Sequence, residues 1–511
     1  MKIFNLFLLV LMPLLGFAQV QPNVIVIKAD DLAFGDIGYF NPNISTPQID
    51  DLISSDGAVV ATRMYGGSSV CTMSRASFQT GKMSQRLGFT MTLKNTSLSM
   101  SDDEYTMGDM FRQMGYHTGF YGKHHVSRRS DGSWVYDELG YDEGDATPPG
   151  GPGQCPNATW YYDTFVENFI ATQSAAESPF FLLFTPFEPH APVADYTDPA
   201  KTDESEFRDI YDGTTFPASF DPRNNGYSRN PAVPTDYPIY GGAISQFDDV
   251  VGRIVDQLKA LGEFDNTVII VTSDNGGAQC EFCLPTNYDA ASGTQMSGNK
   301  KTMYDGGWRV PFIVLYPDGG IQNRVIDSPM VFYDLLPTFA ALIGNDDPAA
   351  RRGDGENILP IWEGTKAKRD KSFAMMLPIA NPRLSNSAAA LPVDGADWSR
   401  GMGDYLGQCN VAAIDPDGRK IVAGMDSYLE SNNADVTTYI RRTRIDCRSL
   451  QFYKFDDAGD VQTQDEHPNL FTGVESMGEF DGLYFFMQRA MGLAQRDQPY
   501  RDWNPYRSDL K

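Results

Sequence analysis

Residues 23–31 read NVIVIKADD, and residues 267–277 read TVIIVTSDNGG. Each contains a short apolar run, Val24–Ile27 and Val268–Val271, that stops at acidic and polar residues. Phe180–Phe184 and Phe312–Leu315 are two more runs of strand length. None alternates apolar with polar residues, which is the pattern of strands covered on both faces. Helical spacings lie between them. Met107, Met110, Phe111 and Met114 fall on one helix face before Gly115, and this methionine stripe reads as core packing. Ile244, Phe247, Val251, Ile254 and Leu258 mark a longer helix that stops at Gly262. Alternating strands and helices predict an α/β fold, a largely parallel central sheet with helices on both faces. Past about residue 370 the pattern changes. Lys420-Ile421-Val422 and Leu450–Phe455 read as short strands and 477–494 as a helix. The expected organisation is a main α/β unit over 19–370 and a smaller C-terminal α+β unit over 371–511.

The chain has 511 residues, 41% hydrophobic and 21% charged, an ordinary globular composition. Its 41 Lys and Arg against 67 Asp and Glu give a net charge of −26. A duplex nucleic-acid binder needs a basic footprint, so this balance argues against one. Residues 1–18, MKIFNLFLLVLMPLLGFA, place one Lys before an apolar run and small residues before Gln19. That is the layout of a secretory signal. The run is short for a bilayer span, and Pro13 interrupts it. The expectation is an exported protein, periplasmic or secreted, with no membrane span. Six cysteines, Cys71, Cys155, Cys280, Cys283, Cys409 and Cys447, fit an oxidising compartment. Cys280 and Cys283 form a C-x-x-C without the second half of a zinc site, which reads as a local disulfide. Cys409 with Cys447 is a candidate second bridge, and sequence alone does not fix the pairings. Two stretches rich in Pro, Gly, Asp and Asn, 127–160 and 195–237, read as long recognition loops.

Open α/β sheets bind ligands beyond the carboxyl ends of their strands. Asp30-Asp31 follows the first run and Asp274-Asn275 the third. Three crowded carboxylates repel unless a cation joins them, and an all-oxygen donor set suits Ca²⁺ or Mg²⁺ rather than zinc. Asp-Asp and Asp-Asn-Gly are also turn formers; their recurrence at two strand ends favours the metal. Of five histidines, three lie in such segments: His124 and His125 after Thr118–Tyr121, and His190 after Phe180–Phe184. With Arg75, Lys123 and Lys300 they point to proton transfer and anion binding. His117 and His467 read as structural or surface groups.

Residues 69–81, SVCTMSRASFQTG, open a predicted helix at Cys71 with Arg75 one turn on. A helix N-terminus and a guanidinium both favour a thiolate, so a depressed thiol pKa is expected. The segment resembles the sulfatase signature C/S-x-P/A-S-R-x-x-x-x-T-G of the alkaline phosphatase superfamily, through Cys71, Ser74, Arg75, Thr80 and Gly81. NVIVIKADDLAFGDIGYF near the start, GYHTGFYGKHH at 115–125, GYDEG at 140–144, PHAP at 189–192, TSDNGG at 272–277 and KKTMYDGGWRVP at 300–311 also match, in order. The C-terminal region resembles the family's small subdomain more loosely.

The resemblance implies an alkaline-phosphatase-like fold and a type I sulfatase. In that family the signature Cys is converted by a maturation enzyme to formylglycine, whose hydrate is the nucleophile. Carried onto this chain, Asp30, Asp31, Asp274, Asn275 and the oxygen on residue 71 would bind one Ca²⁺. Arg75 would hold the hydrate and the metal carboxylates, and Lys123 and Lys300 would grip sulfate oxygens. His190 would protonate the leaving alcohol, and His125 would take the proton that lets sulfate depart. The implied substrate is a sulfated saccharide or another sulfate monoester. Two rivals are a phosphodiesterase or phosphonate monoester hydrolase of the same superfamily, and an unmatured sulfoglycan-binding protein. The pattern departs at Met73, where Pro or Ala is usual, at His124 in place of Trp, and at Asp305 in place of Glu. Lys300 rather than Lys301 matches the catalytic Lys.

Overall fold

The computed structural model describes residues 21–87, 100–101, 103–127, 135–145, 158–190, 207, 210–211, 237–277, 288–289, 294–295, 300, 303, 305–377, 409–426, 444–445 and 451–453. Its central sheet has eight strands: β1 (Asn23–Ala29), β2 (Ala58–Ala61), β3 (His117–Gly122), β4 (Glu143–Asp145), β5 (Phe180–Thr185), β6 (Thr267–Ser273), β7 (Phe312–Leu315) and β8 (Arg324–Ile326). Their spatial order is β8-β2-β7-β6-β1-β5-β3-β4. β6, β1, β5, β3 and β4 run parallel, as do β8 and β2. Only β7 opposes both of its neighbours, β2 and β6. The sheet is thus mostly parallel, the α/β architecture expected.

The unbroken apolar runs have a direct cause. Val24, Val26, Val268 and Ile270 pack into one core, and Ile25, Ile27, Ile269 and Val271 into the other, on the opposite face. Successive strand side chains point to opposite faces, so a strand covered on both sides favours apolar residues at successive positions. Burying one such side chain is worth about 1.5–3 kcal/mol. The Met107–Gln113 helix covers the first face through Met107, Met110 and Phe111. It starts at a capping box: Asp109 N donates to Thr106 Oγ1 at 3.1 Å, and Thr106 N to Asp109 Oδ2 at 3.2 Å. The Tyr237–Leu261 helix covers the second face through Ile244, Phe247, Val251, Ile254 and Leu258. Gly262 follows it with φ 75°, a left-handed turn that glycine enters without steric cost. β2, β4 and β8 were not legible as strands, being only three or four residues long and lying toward the sheet's edges.

A second, antiparallel sheet follows: β9 (Phe373–Leu377), β10 (Cys409–Ile414), β11 (Lys420–Asp426), β12 (Arg444–Ile445) and β13 (Gln451–Tyr453). It contains both C-terminal strands read from sequence, and β9, β10 and β12 in addition. The leader 1–18, the C-x-x-C, Cys155, Cys447, Lys301, His467 and the 477–494 segment lie outside the described residues, as does most of the two long loops. Among the described residues, no helix is long and apolar enough to cross a membrane.

Candidate active site

Parallel pairing aligns the carboxyl ends of β6, β1, β5 and β3 along one edge. Ala29 is in register with Ser273, and Gly122 with Thr185. The chains leaving these ends stay tied together. Asp274 N donates to Ala29 O at 3.0 Å, Asp30 N to Glu188 O at 3.0 Å and Lys123 N to Thr185 O at 2.7 Å. The edge therefore collects Asp30 and Asp31 from β1, Asp274 and Asn275 from β6, the His190 segment from β5 and Lys123 from β3. Asp31 has φ 65°, left-handed backbone that costs a non-glycine residue about 1–3 kcal/mol. The turn breaks strand alternation, so both adjacent carboxylates reach the same sulfur. Cys71 Sγ lies 3.7 Å from Asp30 Oδ1 and 3.9 Å from Asp31 Oδ1.

Cys71 opens the Cys71–Thr80 helix, whose ten residues are all buried. Ser74 Oγ donates to Asp274 O at 2.5 Å and accepts Gly67 N at 3.0 Å, which fixes the first turn against the end of β6. Arg75 then reaches back across the site. Its Nε donates to Asp274 Oδ2 at 2.9 Å and Nη1 to Lys123 O at 2.8 Å, while Nη2 is ion-paired with the same Asp274 Oδ2 at 2.9 Å. Lys123 Nζ is ion-paired with Asp30 Oδ2 and lies 3.9 Å from Cys71 Sγ. Lys300 Nζ bridges Asp31 Oδ1 and Oδ2 at 2.5 and 2.7 Å. Asn275 Nδ2 donates to Asp31 Oδ1 at 2.7 Å. His190 Nε2 stands 3.6 Å from Asp31 Oδ2, with 34% of its side chain exposed.

Burial opposes charge throughout this cluster, and the neighbours decide the outcome. For Asp30, burial pushes the carboxyl up, but Lys123, His190, Arg75 and Lys300 hold it well below the usual range. For Asp31, burial is likewise outweighed, chiefly by Lys300. Asp274 goes the other way: burial and the neighbouring Asp30 outweigh Arg75 and raise it. Burial lowers both lysines, yet Asp30 carries Lys123 upward and Asp31 carries Lys300 far upward, so both stay charged. The thiol reverses the expectation drawn from the helix terminus and Arg75. Burial first, and Asp274 next, push Cys71 up to about 12, beyond what Lys123 and Lys300 offset. Burial and then Lys123 push His190 down to about 4, against the pull of Asp30 and Asp31.

Nine of the residues read from sequence meet here: Asp30, Asp31, Cys71, Arg75, Lys123, His190, Asp274, Asn275 and Lys300. Ligand atoms of Asp30, Asp31, Cys71 and His190 lie within 4.8 Å of one another. His125 follows Lys123 by two residues, half-buried, with φ 60°, and is not among those four. His124 is buried against Phe120, and its Nδ1 accepts Val126 N at 3.4 Å and Ser127 N at 3.3 Å. Burial, with Arg75 and Lys28, pushes it down to about 3, so it fills space as a neutral ring. Two contributors went unnoticed in the sequence. Ser273 Oγ accepts Leu32 N and donates to Asn275 O, both at 2.9 Å, stitching the two acidic turns together. Lys28 lies buried with Nζ 4.0 Å from the Phe78 ring centroid; a lysine inside an apolar strand was its signal.

The family model for sulfatases matches residues 22–345, well over half of the chain. The chain belongs to the sulfatase family. Human arylsulfatase A is 27% identical to this sulfatase over 395 residues, 69% of this chain and 70% of the relative. Dog N-acetylgalactosamine-6-sulfatase is 26% identical over 390 residues, 68% and 67% of the two chains. Among solved structures, yidJ from Bacteroides fragilis superposes with a TM-score of 0.67 at 17% identity, covering 94% of this chain and 98% of its own. Ps i-CgsB gives 0.65 at 19% identity and 94% of both chains. The fold is therefore that of the sulfatases, and the chain is a sulfuric ester hydrolase.

Proposed function

We propose that this sulfatase is exported, binds Ca²⁺ and removes sulfate from a saccharide, with formylglycine made from Cys71 as its nucleophile. The observation that carries the reading is the cluster around that residue: ligand atoms of Asp30, Asp31, Cys71 and His190 lie within 4.8 Å of one another, with Lys123 and Lys300 paired to the two carboxylates. Pushed up to about 12 and set against two carboxylates, Cys71 is almost wholly protonated near neutral pH. A thiol in that state is a poor nucleophile, which favours conversion of the residue despite Met73 at the signature's variable position. A formylglycine hydrate supplies two hydroxyls on one carbon, one to attack and one to expel the product.

The donor set fits a hard cation. Asp30, Asp31, Asp274 and Asn275 offer oxygen, and Asn275 Oδ1 is buried without a hydrogen-bond partner. These residues, with the oxygen on residue 71, would hold Ca²⁺. When bound, Ca²⁺ supplies positive charge for the attacking oxygen and the transferring sulfate. The chain's own groups do the rest. Arg75 keeps Asp274 aimed inward, and the charged Lys123 and Lys300 receive sulfate oxygens as charge develops. His190, the partly exposed member, gives its proton to the leaving alcohol. An anionic ester brought against its ring favours the protonated form that this step needs. His125 accepts the proton released when sulfate leaves.

A saccharide substrate is supported by the relatives' names. One is an N-acetylgalactosamine-6-sulfatase, another neighbour was solved with D-glucosamine-2-N,6-O-disulfate, and a third is a 2-O GAG sulfatase. The leader-like residues 1–18 support export, and the two sheets support the division at 370/371. The test is sulfate release from a panel of sulfated oligosaccharides. It uses Ca²⁺-loaded protein from the native host, with formylglycine at residue 71 verified by peptide mass spectrometry. Release from at least one sugar is expected. An unmodified thiol would sink the formylglycine reading. If matured protein is inert on every sulfate ester but cleaves a nitrophenyl phosphate diester or phosphonate monoester, the phosphoester reading replaces it. Saccharide binding that survives Cys71→Ala without release would mark a binding protein.

A further inference from the structure

We propose that Lys420, on β11 of the C-terminal sheet, is a positioning residue for the catalytic centre, acting through Asp305 on the segment that bears Lys300 and abuts Asn275. The proposal rests on the sulfatase reading of that centre. Lys420 Nζ donates to Asp305 Oδ1 at 2.5 Å, with 5% and 9% of the two side chains exposed. Tyr65 OH donates to Asp305 Oδ2 at 3.2 Å. The ammonium also faces the rings of Trp308 and Tyr65, 5.4 and 5.8 Å from their centroids.

Asp305 begins the helical turn Asp305–Trp308, and that turn is fastened to the site at its other end. Gly276 N, next to Asn275, donates to Gly307 O at 3.0 Å, and Lys300 N donates to Gly277 O at 2.9 Å. Trp308 Nε1 donates to Gly66 O at 2.6 Å. There is no slack in this stack. A Cβ on Gly276 would fall 2.1 Å from Gly306 O, and one on Gly66 2.9 Å from Asp274 O. Displacement of the turn therefore moves the backbone beside two of the centre's residues. The same sheet holds the nucleophile segment: Met375 Sδ accepts Ser69 N at 3.1 Å, two residues before Cys71. Phe373 fills the space between the clamps, its centroid 5.5 Å from Tyr65 and 5.7 Å from Trp308.

A buried ion pair adds little stability over an apolar pair, whereas losing one partner strands the other's charge. Its clearest use is to fix a register, here that of the Asp305 turn. The test is Lys420→Met in full-length, formylglycine-verified protein, with kcat, KM and Ca²⁺ affinity measured separately. Residues supporting a metal ligand typically cost about 10–100-fold in affinity or activity when changed. The expected result is a kcat drop and Ca²⁺ weakening of that order, KM within about 3-fold, and recovery of most of both losses by Lys420→Arg. Lys368→Met, which breaks the exposed pair between Lys368 and Asp417 at the turn between β10 and β11, should leave all three at wild type. If Lys420→Met is recovered unfolded, Lys420→Gln takes its place, with about 10-fold effects expected. Wild-type kcat and Ca²⁺ affinity in a folded Lys420 variant of lowered melting temperature would overturn the proposal, leaving a structural pair only. If the wild type releases no sulfate, the sulfatase reading fails, and the Ca²⁺ titration still decides the role of Lys420.

Discussion

Arg75→Lys tests whether the site depends on a guanidinium fork or only on a buried positive charge. Arg75 is almost fully buried; its Nε donates to Asp274 Oδ2, its Nη1 to the Lys123 carbonyl, and its Nη2 is ion-paired with Asp274 Oδ2 at 2.9 Å. A lysine there keeps the charge but holds one head group in place of three fixed donors. One ammonium contact then replaces the Nε hydrogen bond and the Nη2 ion-pair contact to Asp274, a loss of about 1.5–3 kcal/mol for a charged acceptor. The lysine also loses the bond to Lys123 O. That carbonyl still accepts Thr185 Oγ1 at 2.9 Å, so this loss stays near 1 kcal/mol. The expected destabilisation is about 2.5–4 kcal/mol. Arg75→Ala removes the charge as well, and breaking a buried pair costs about 3–5 kcal/mol, so about 4–6 in total. Urea denaturation in chelator reads both, because a cation would otherwise offset Asp274. Added Ca²⁺ should then recover more stability in Arg75→Ala than in wild type. Arg75→Lys within about 1 kcal/mol of wild type would refute the fork, and equal Ca²⁺ recovery would refute the clamp on Asp274.

Lys300→Met should lower kcat/KM by about 10²–10³-fold in matured enzyme, the cost of one preorganised transition-state donor. A change under about 5-fold would show that Lys300 does not meet the transferring group. Asp248 accepts Gln48 N at 3.0 Å and Ile49 N at 2.8 Å at the start of the Pro47–Ser54 helix, yet burial pushes it up to about 7. A carboxyl raised in the folded state gives stability that is complete below its ordinary value and lost as pH rises through about 7, at most about 4 kcal/mol here. Asp248→Asn should therefore gain stability relative to wild type between about pH 4 and pH 7 in urea titrations, and parallel pH curves would contradict it.

The sequence alone determined the two-faced strands, because burial on both sides leaves an unbroken apolar run that can be seen without coordinates. It also singled out residues that the fold brings together, since Asp30-Asp31, Asp274-Asn275, Lys123 and His190 each follow the end of a run of strand length. Two things it could not contain. One is pairing order: β6, β1, β5 and β3 come from stretches up to about 250 residues apart, and only their parallel register puts those ends on one edge. The other is the balance of burial against charge. Read locally, the helix start and Arg75 promise a reactive thiolate at Cys71. In three dimensions Arg75 is committed to Asp274, two more carboxylates face the sulfur, and water is excluded, so the proton stays on. Asp305 shows the same limit on a smaller scale. In the sequence it is only a shorter acid in place of Glu, and its partner Lys420 lies 115 residues away on another sheet. Local pattern records which groups are present. Desolvation and long-range contact decide their protonation and their partners, and those exist only once the chain is folded.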